Sequence, residues 1–485
     1  MSISASLSSA LSGLTAASRR AELVSSNVAN AMTEGYGRRE LVVSARSVGS
    51  TGQGVQVVGV TRQADLAVIN DRRRAQAEAS DQDQRAGALL RIDGSLGAPD
   101  DAASLTARVA ALESALIAAT AQPASETRLS QVADAARTIA GKFGTITTDI
   151  QASRSEADNQ IKSEVDQVNS ALSRIADLNS KVRSISGLGR DTSALIDQRQ
   201  QLIDSIAGII PLREVPRDGG QLALITPSGA VLLDGSAAKL GFAPVGTVVA
   251  GMSRASGALS GLTLNGHPIA TEGDNSPITG GSLAGHFAVR DALAPEAQTR
   301  LDAVARDLIE RFASPSVDAT LGAANAGLFT DSGGAFLPGN ETGLAGRLSV
   351  NAAVDPQQGG ALWRLRDGLG AVSPGAVGNS AQLTRLAGAL TSQRSPVSGG
   401  FMPGNRSFAT LTADLASAAA TARLNAETEH SYASARADAL HNAELRGGVD
   451  TDQEMQNLLM IEQAYSANAK VIQTVDDMIK TLLSI

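Results

Sequence analysis

Four histidines, His267, His286, His430 and His441, are the whole stock of imidazole in this 485-residue chain, and there is no cysteine. No two histidines stand i, i+4 and no H-E-x-x-H occurs, so the paired imidazoles of a helical zinc site are not encoded. His430 and His441 lie eleven residues apart on one predicted helix. No carboxylate pair joins them at ligand spacing, so they read as surface residues. Around Ser282 the order Gly280, Ser282, Ala284 is one residue short of G-x-S-x-G, and a nucleophile elbow needs glycine on both sides of its serine. Gly187 and Gly189 do not extend to G-x-G-x-x-G, so no phosphate cradle follows. We assign no catalytic, cofactor-binding or metal-ligating residue, and expect no cofactor.

The asparagines are more informative. Asn27 and Asn30 close the first predicted helix. Their amides can end that helix locally, or hydrogen-bond between subunits and fix the register of packed helices. Asn468 stands on an apolar seam, where a polar residue specifies register at a cost in stability.

The elements that carry these residues are legible from periodicity. Leu7, Leu14, Ala21 and Val28 recur every seven residues, and Ala10, Ala17, Val24 and Ala31 follow three later. At the other end Leu458, Tyr465, Ile472 and Ile479 form one row, and Ile461, Asn468, Val475 and Leu482 the next. Thr451 with Glu454 fits a capping box for that helix, and Gly447 and Gly448 would end the one before. Either the two terminal helices pair with each other or each packs on the body; periodicity leaves both open. Residues 36–61 read as strands with glycine turns and 63–208 as helices interrupted at Gly94, Gly97, Pro99, Pro123 and Gly187–Gly189. Residues 212–285 read as β-rich, 286–313 as helix, 314–378 as mixed, and 380–393 and 406–446 as helix. The expected fold is mainly α with a β-rich insertion. Residues 1–33 and 448–485 would form a terminal coiled coil, 34–211 and 286–447 a mostly helical middle domain, and 212–285 an outer β-rich domain.

Hydrophobic residues make up 43% and charged residues 19%, enough for a sizeable core, but aromatics are only 2%, so that core is built from Ala, Leu, Val and Ile. The net charge of -8 opposes nucleic-acid binding. The basic runs Arg19–Arg20, Arg38–Arg39 and Arg72–Arg74 read as solvated faces and surface ion pairs. The start of the chain lacks a basic n-region and a continuous apolar h-region, so a cleavable secretory signal is not expected, and no apolar run reaches the length of a membrane span.

Ser25 through Tyr36, including Asn27, Asn30, Gly35 and Tyr36, resembles the S-N-N-I-A-N-A-N-T-P-G-Y signature of the flagellar rod, hook and hook-associated axial protein family. The stretch Gly52 to Val60, with Arg62 and Asp65, is similar to the G-x-G-V-x-V element that follows it. Glu454, Asn457, Leu458, Gln463, Tyr465, Asn468, Lys470, Ile472 and Asp477 match the family's other end. Glu34 departs from the pattern, standing where the family usually has a proline that would fix the turn after the first helix. In the middle, Asp191 to Leu202 with Asp197, Gln198 and Arg199, then Gly280 to Gly285 with Arg290 and Asp291, then Leu348 to Asn351, resemble the members at the junction between hook and filament.

The resemblance implies a structural, non-catalytic subunit of the flagellum, self-associating into a ring or helical layer. Its neighbours would be the flagellar hook protein and the second hook–filament junction protein, and it would be exported through the flagellar type III apparatus with a chaperone on its C-terminal region. Leu7, Leu14, Asn27, Asn30, Leu458, Tyr465, Asn468, Ile472, Val475, Ile479 and Leu482 would carry subunit packing. The alternatives are another axial protein, a hook or rod subunit, and a secreted enzyme on helical stalks; the latter would need a cluster of titratable groups in 212–285.

Overall fold

The computed structural model describes residues 3–33, 35–48, 51–273, 276–322 and 324–484. The chain is mainly α-helical with a β-rich insertion. Helix α1 (Ile3–Ala29) leads into a two-stranded antiparallel hairpin, β1 (Arg38–Val48) and β2 (Thr51–Gln63). Leu41 lies opposite Val60, and a register shift follows between Val42 and Val43. Then come α2 (Leu66–Leu96), α3 (Leu105–Ala121), α4 (Glu126–Ser186) and α5 (Ser193–Ala207). The starts of the first three are fixed by side-chain oxygens that accept from otherwise unpaired helix amides: Asp65 on Ala67 and Val68, Ser104 on Ala107, Ser125 on Arg128. Gly94 lies inside α2 and does not break it; the helix ends at Gly97, whose φ of 88° brings its backbone against Ser104.

The insertion holds β3 (Arg213–Pro216), β4 (Leu222–Ile225), β5 (Val231–Asp234) and β6 (Ser236–Ala237) in one antiparallel sheet. A second sheet holds β7 (Leu240–Gly241), β8 (Leu262–Leu264) and β9 (His267–Ile269). Helix α6 (Gly281–Ala288) passes through a π-helical turn, Val289–Leu293, into α7 (Ala294–Ala313). A short strand pair, β10 (Phe329–Asp331) and β11 (Leu348–Val350), brackets α8 (Leu344–Arg347). Helices α9 (Trp363–Asp367), α10 (Ala381–Thr391), α11 (Phe408–Arg446) and α12 (Thr451–Leu483) complete the chain.

Helix α4, 61 residues long, is the spine. Its first half, Leu129 to Ile150, packs with α3, α7, α10 and the start of α11 around Phe143, Phe312, Phe329 and Phe408. Its second half, Ile161 to Ile175, packs with α5 and the β-rich insertion through Leu222, Leu224, Leu232, Leu240 and Leu262. The insertion therefore shares one core with the spine. Helices α2 and α11 run antiparallel, joined by Arg72–Glu444, Arg436–Glu78 (2.9 Å) and Arg423–Asp93 (2.8 Å).

The basic runs are not all solvated. Arg19, Arg20 and Arg74 are exposed. Arg73 is wholly buried, bonded to Asp204 at 2.7 Å, to Gln200 at 2.6 Å and to Glu214. Arg72 beside it is buried against the same Asp204 at 2.5 Å. Both arginines face the α5 side of α2, where carboxylates from α5 and β3 offset the cost of burying a charge. Among the described residues no helix is long and apolar enough to cross a membrane.

Candidate assembly site

The terminal helices pair with each other, antiparallel. At one end Asn27 meets Glu454, and midway Gly13 meets Asn468. A Cβ built on Gly13 would lie 2.7 Å from the Asn468 side-chain oxygen, so glycine is what admits the asparagine here. Asn468 donates to the Ala464 carbonyl of its own helix at 2.8 Å. The core between the helices is thin: Ala10, Ala17 and Val24 from α1 and Val475 from α12 are its buried apolar members. Ala16 is buried as well, on the side where the hairpin packs, with Ser12 accepting from the Val55 amide at 3.2 Å.

Where the pair meets the body, a knot of hydrogen bonds forms around Asn27, which is 1% exposed. Its amide nitrogen donates to the Arg39 carbonyl (2.9 Å) and to Glu454 (3.2 Å). Its oxygen accepts from the Arg39 N–H (2.9 Å) and the Tyr36 hydroxyl (2.9 Å). An amide is the side chain that can both donate and accept in this way, so Asn27 ties the first residues of β1 to the end of α1 as a strand would. Glu454, also buried, takes the Arg38 Nε at 2.6 Å.

A second carboxylate, Asp197 at the start of α5, binds the other side of the same hairpin. It accepts from Arg62 Nε (2.8 Å), from Arg39 (2.8 Å) and from the Gly37 N–H (3.3 Å). Arg62 reaches on to the Gly35 carbonyl at 3.0 Å, and the Arg39 guanidinium lies over the Tyr36 ring, 4.9 Å from its centre. Asn27, Glu454 and Asp197, three acceptors from three helices, thus clamp one β-hairpin.

The residues expected to carry packing divide into two groups. Leu458, Asn468 and Ile472 are half-buried on the side facing α1, Val475 is buried, and Leu14 is half-buried on α1. Leu7, Tyr465, Ile479 and Leu482 are exposed, as are Leu11, Leu459 and Met478. Asn30 acts locally: it donates to the Ser26 carbonyl at 2.8 Å and accepts from Thr33 at 3.3 Å. Glu34 lies outside the described residues.

Sequence reading missed the clamp. The cap of α12 is Asp450, accepting from Asp452 (2.9 Å) and Gln453 (3.1 Å), and not Thr451; Glu454 is turned away from the cap toward Arg38 and Asn27. Arg38 and Arg39 are partly buried in ion pairs and are not a solvated face. The available signal was the closeness of Arg38 and Arg39 in sequence to the turn that follows Asn27 and Asn30.

Elsewhere, Ser282 donates to Glu164 Oε1 at 2.5 Å, and His286 Nε2 stands 3.6 Å from that same oxygen. The carboxylate lies between hydroxyl and imidazole, so the serine proton is held by a group that does not activate it as a base would in a triad. His430 lies 4.0 Å from Asp83, and His441 is exposed.

Three family models match the chain. Residues 89–316 match the flagellar hook-associated protein FlgK helical domain. Residues 7–36 match the flagella basal body rod protein, and 446–485 match the flagellar basal body rod FlgEFG protein C-terminal region. The chain is 24% identical to flagellar hook-associated protein 1 of Bacillus subtilis over 99% of its own length and 97% of that protein. Over almost its whole length, then, the chain is similar to flagellar hook-associated protein 1. It is also 28% identical to the Salmonella typhimurium hook-associated protein 1 and 27% to that of Escherichia coli, in matches spanning 49% of this chain and 44% of each relative. A solved flagellar hook junction protein FlgK from Burkholderia pseudomallei aligns with TM-score 0.45 and 19% identity, over 54% of this chain and 46% of that one. The clamp joins the two ends matched by the rod models to α5, which lies in the region matched by the helical-domain model.

Proposed function

We propose that this chain is a structural subunit of the bacterial flagellum that forms the junction between hook and filament and is required for filament assembly. The observation that carries this reading is the terminal helix pair. It is locked to the body at one end by Asn27, Glu454 and Asp197, yet leaves Leu7, Tyr465, Ile479 and Leu482 uncovered. Large apolar side chains left exposed on an anchored element are what a covering partner would bury. Neighbouring copies would cover it in a ring or helical layer, with the hook protein below and the second junction protein above. The terminal pair would form the inner layer, the helical body the next, and the β-rich insertion the outside.

Export completes the reading. The chain would leave the cell uncleaved through the flagellar type III apparatus, and an export chaperone would cover the exposed apolar side chains of α12 beforehand. Deleting the gene tests the function: hooks should be complete and filament subunits should appear in the medium. Normal filaments on the deletion strain's hooks would overturn it. Purified hook–basal bodies distinguish the alternative, a hook or rod subunit, by where the protein sits.

A further inference from the structure

Gly13 faces Asn468, so Ile3, ten residues earlier on α1, faces Met478, ten residues later on α12. The last turn of α12 exposes large apolar side chains on either side of Lys480: Met478 is 52% exposed, Leu482 61% and Leu483 82%. At the opposite end of the pair lies an open groove of about 610 Å³ between α1, β1 and α12. Ala17, Val24, Leu41, Met460 and Ile461 line it, with Arg20 among its lining residues. Arg20 is exposed and makes no ion pair among the described residues, while Asp477, just before Met478, is exposed too. One end of the pair thus offers exposed apolar side chains beside Asp477, and the other a groove whose apolar floor is rimmed by charged groups, Arg20 among them.

We propose that the last turn of α12, Met478 to Leu483, of one subunit seats in the groove between α1, β1 and α12 of the next copy. Asp477 then lies toward Arg20. The contact is head-to-tail: it uses two different patches and leaves the joined pair of copies with one free groove at one end and one free turn at the other. Such a heterologous contact propagates into a ring or a helical row, whereas a two-fold contact closes at a dimer. This inference rests on the reading of the chain as an assembling axial subunit, and it adds which surfaces meet. Glu454 and Arg38 themselves line the groove, so the clamp that holds the hairpin also shapes the seat.

The absence of cysteine from the sequence gives a direct test. Met460 and Leu482 lie on one helix, about 33 Å apart at 1.5 Å per residue, so a disulfide between them cannot form within a chain. Flagella are prepared from cells producing the full-length Met460→Cys/Leu482→Cys protein, oxidised, and run on a denaturing gel. The expected result is a ladder of covalent multimers; either cysteine alone should stop at a dimer or remain monomeric. Protein present in the preparation without a ladder overturns this seat and leaves the junction reading standing. Protein missing from wild-type hook preparations overturns both. A charge exchange gives an independent readout: Arg20→Asp should reduce incorporation at least tenfold, and Arg20→Asp with Asp477→Arg should restore it. Equal loss in the single and double variants also counts against the seat.

Discussion

The Asn27 amide and the Glu454 carboxylate, 427 residues apart in sequence, are 3.2 Å apart in the fold. This bond makes the first and last helices one element, and both partners are buried. Each also binds the hairpin, Asn27 through the Arg39 backbone and Glu454 through the Arg38 side chain. The terminal pair therefore cannot swing freely against the body without breaking bonds whose groups are shielded from water. Leaving a buried donor or acceptor unpaired costs about 1–3 kcal/mol each.

Asn27→Asp tests this most sharply. The substitution keeps the shape, removes both donated bonds, and sets a second carboxylate against Glu454. We expect a loss of about 2–4 kcal/mol from the clamp. Amide exchange should speed up in 3–33 and 451–484 and stay unchanged in α3 and the first half of α4. Uniform acceleration across the chain would show that the clamp is part of the global fold and not a local joint.

Gly13 and Asn468 supply a double-mutant cycle. Glycine inside a helix costs about 1 kcal/mol relative to alanine, so its presence needs the compensation that Asn468 gives by filling the space a Cβ would take. In an Asn468→Ala background, Gly13→Ala should stabilise the terminal pair by about 1 kcal/mol. In the wild-type background the gain should vanish or reverse, because Asn468 must move. Equal gains in both backgrounds, measured by amide exchange of α1, would mean that the two side chains do not meet.

How far the sequence discloses all this depends on the range of the interaction. Periodicity places α1 and α12, and the glycines at 447–448 mark where α11 stops, because these signals are local. The partner of a seam is not local. Leu7 and Val475 both sit on regular heptad rows, yet one is exposed and the other buried, since the register of pairing is set by Gly13, Asn27 and Glu454. Arg73 and Arg74 are adjacent and chemically identical, and only the direction each takes from α2 separates a fully buried ion pair from an exposed one 57% accessible at its side chain. Glu454 has the spacing of a capping residue and was free to act as one; Asp450, one turn earlier, took that role and released it for the clamp. The β-rich insertion is visible in its Gly, Pro and Asp punctuation, but that its leucines share a core with α4 is a tertiary fact.

Asp302 provides a pH signature. Burial pushes its carboxyl up to about 6, against the pull of hydrogen bonds from the Ala345 N–H (2.8 Å), Gln298 (2.9 Å) and the Gly343 N–H (2.7 Å). In the unfolded chain it titrates near 3.9. Between about pH 4 and 6 the folded state binds the proton that the unfolded state has released, so stability from this group falls as pH rises through that window, by about 3 kcal/mol in all. The stability difference between wild type and Asp302→Asn should decline from pH 4 to 6 and be flat above about 7, in denaturant titrations at each pH. A difference independent of pH would place the carboxylate in water.

The last prediction concerns the order of unfolding. The α1–α12 pair buries two valines and a few alanines between its helices, whereas α4 buries Phe143, Ile139, Ile146 and Ile150 in its first half alone. Long helices without a packed face are marginal in water, and regions with few buried apolar contacts open at lower free energy than the global transition. In the free monomer the pair should therefore exchange its amides orders of magnitude faster than α3 and α4, and be cut first by protease. Two substitutions then separate packing within the chain from packing between chains. Val475→Asp puts a charge into the buried seam and should open α1 as well as α12 in the monomer. Tyr465→Asp alters a side chain that is 49% exposed and should leave monomer exchange unchanged while abolishing incorporation at the hook tip. If Tyr465→Asp clearly speeds exchange in α1, that side chain belongs to the intramolecular seam, and the uncovered surface on which the assembly reading stands is narrower than the fold indicates.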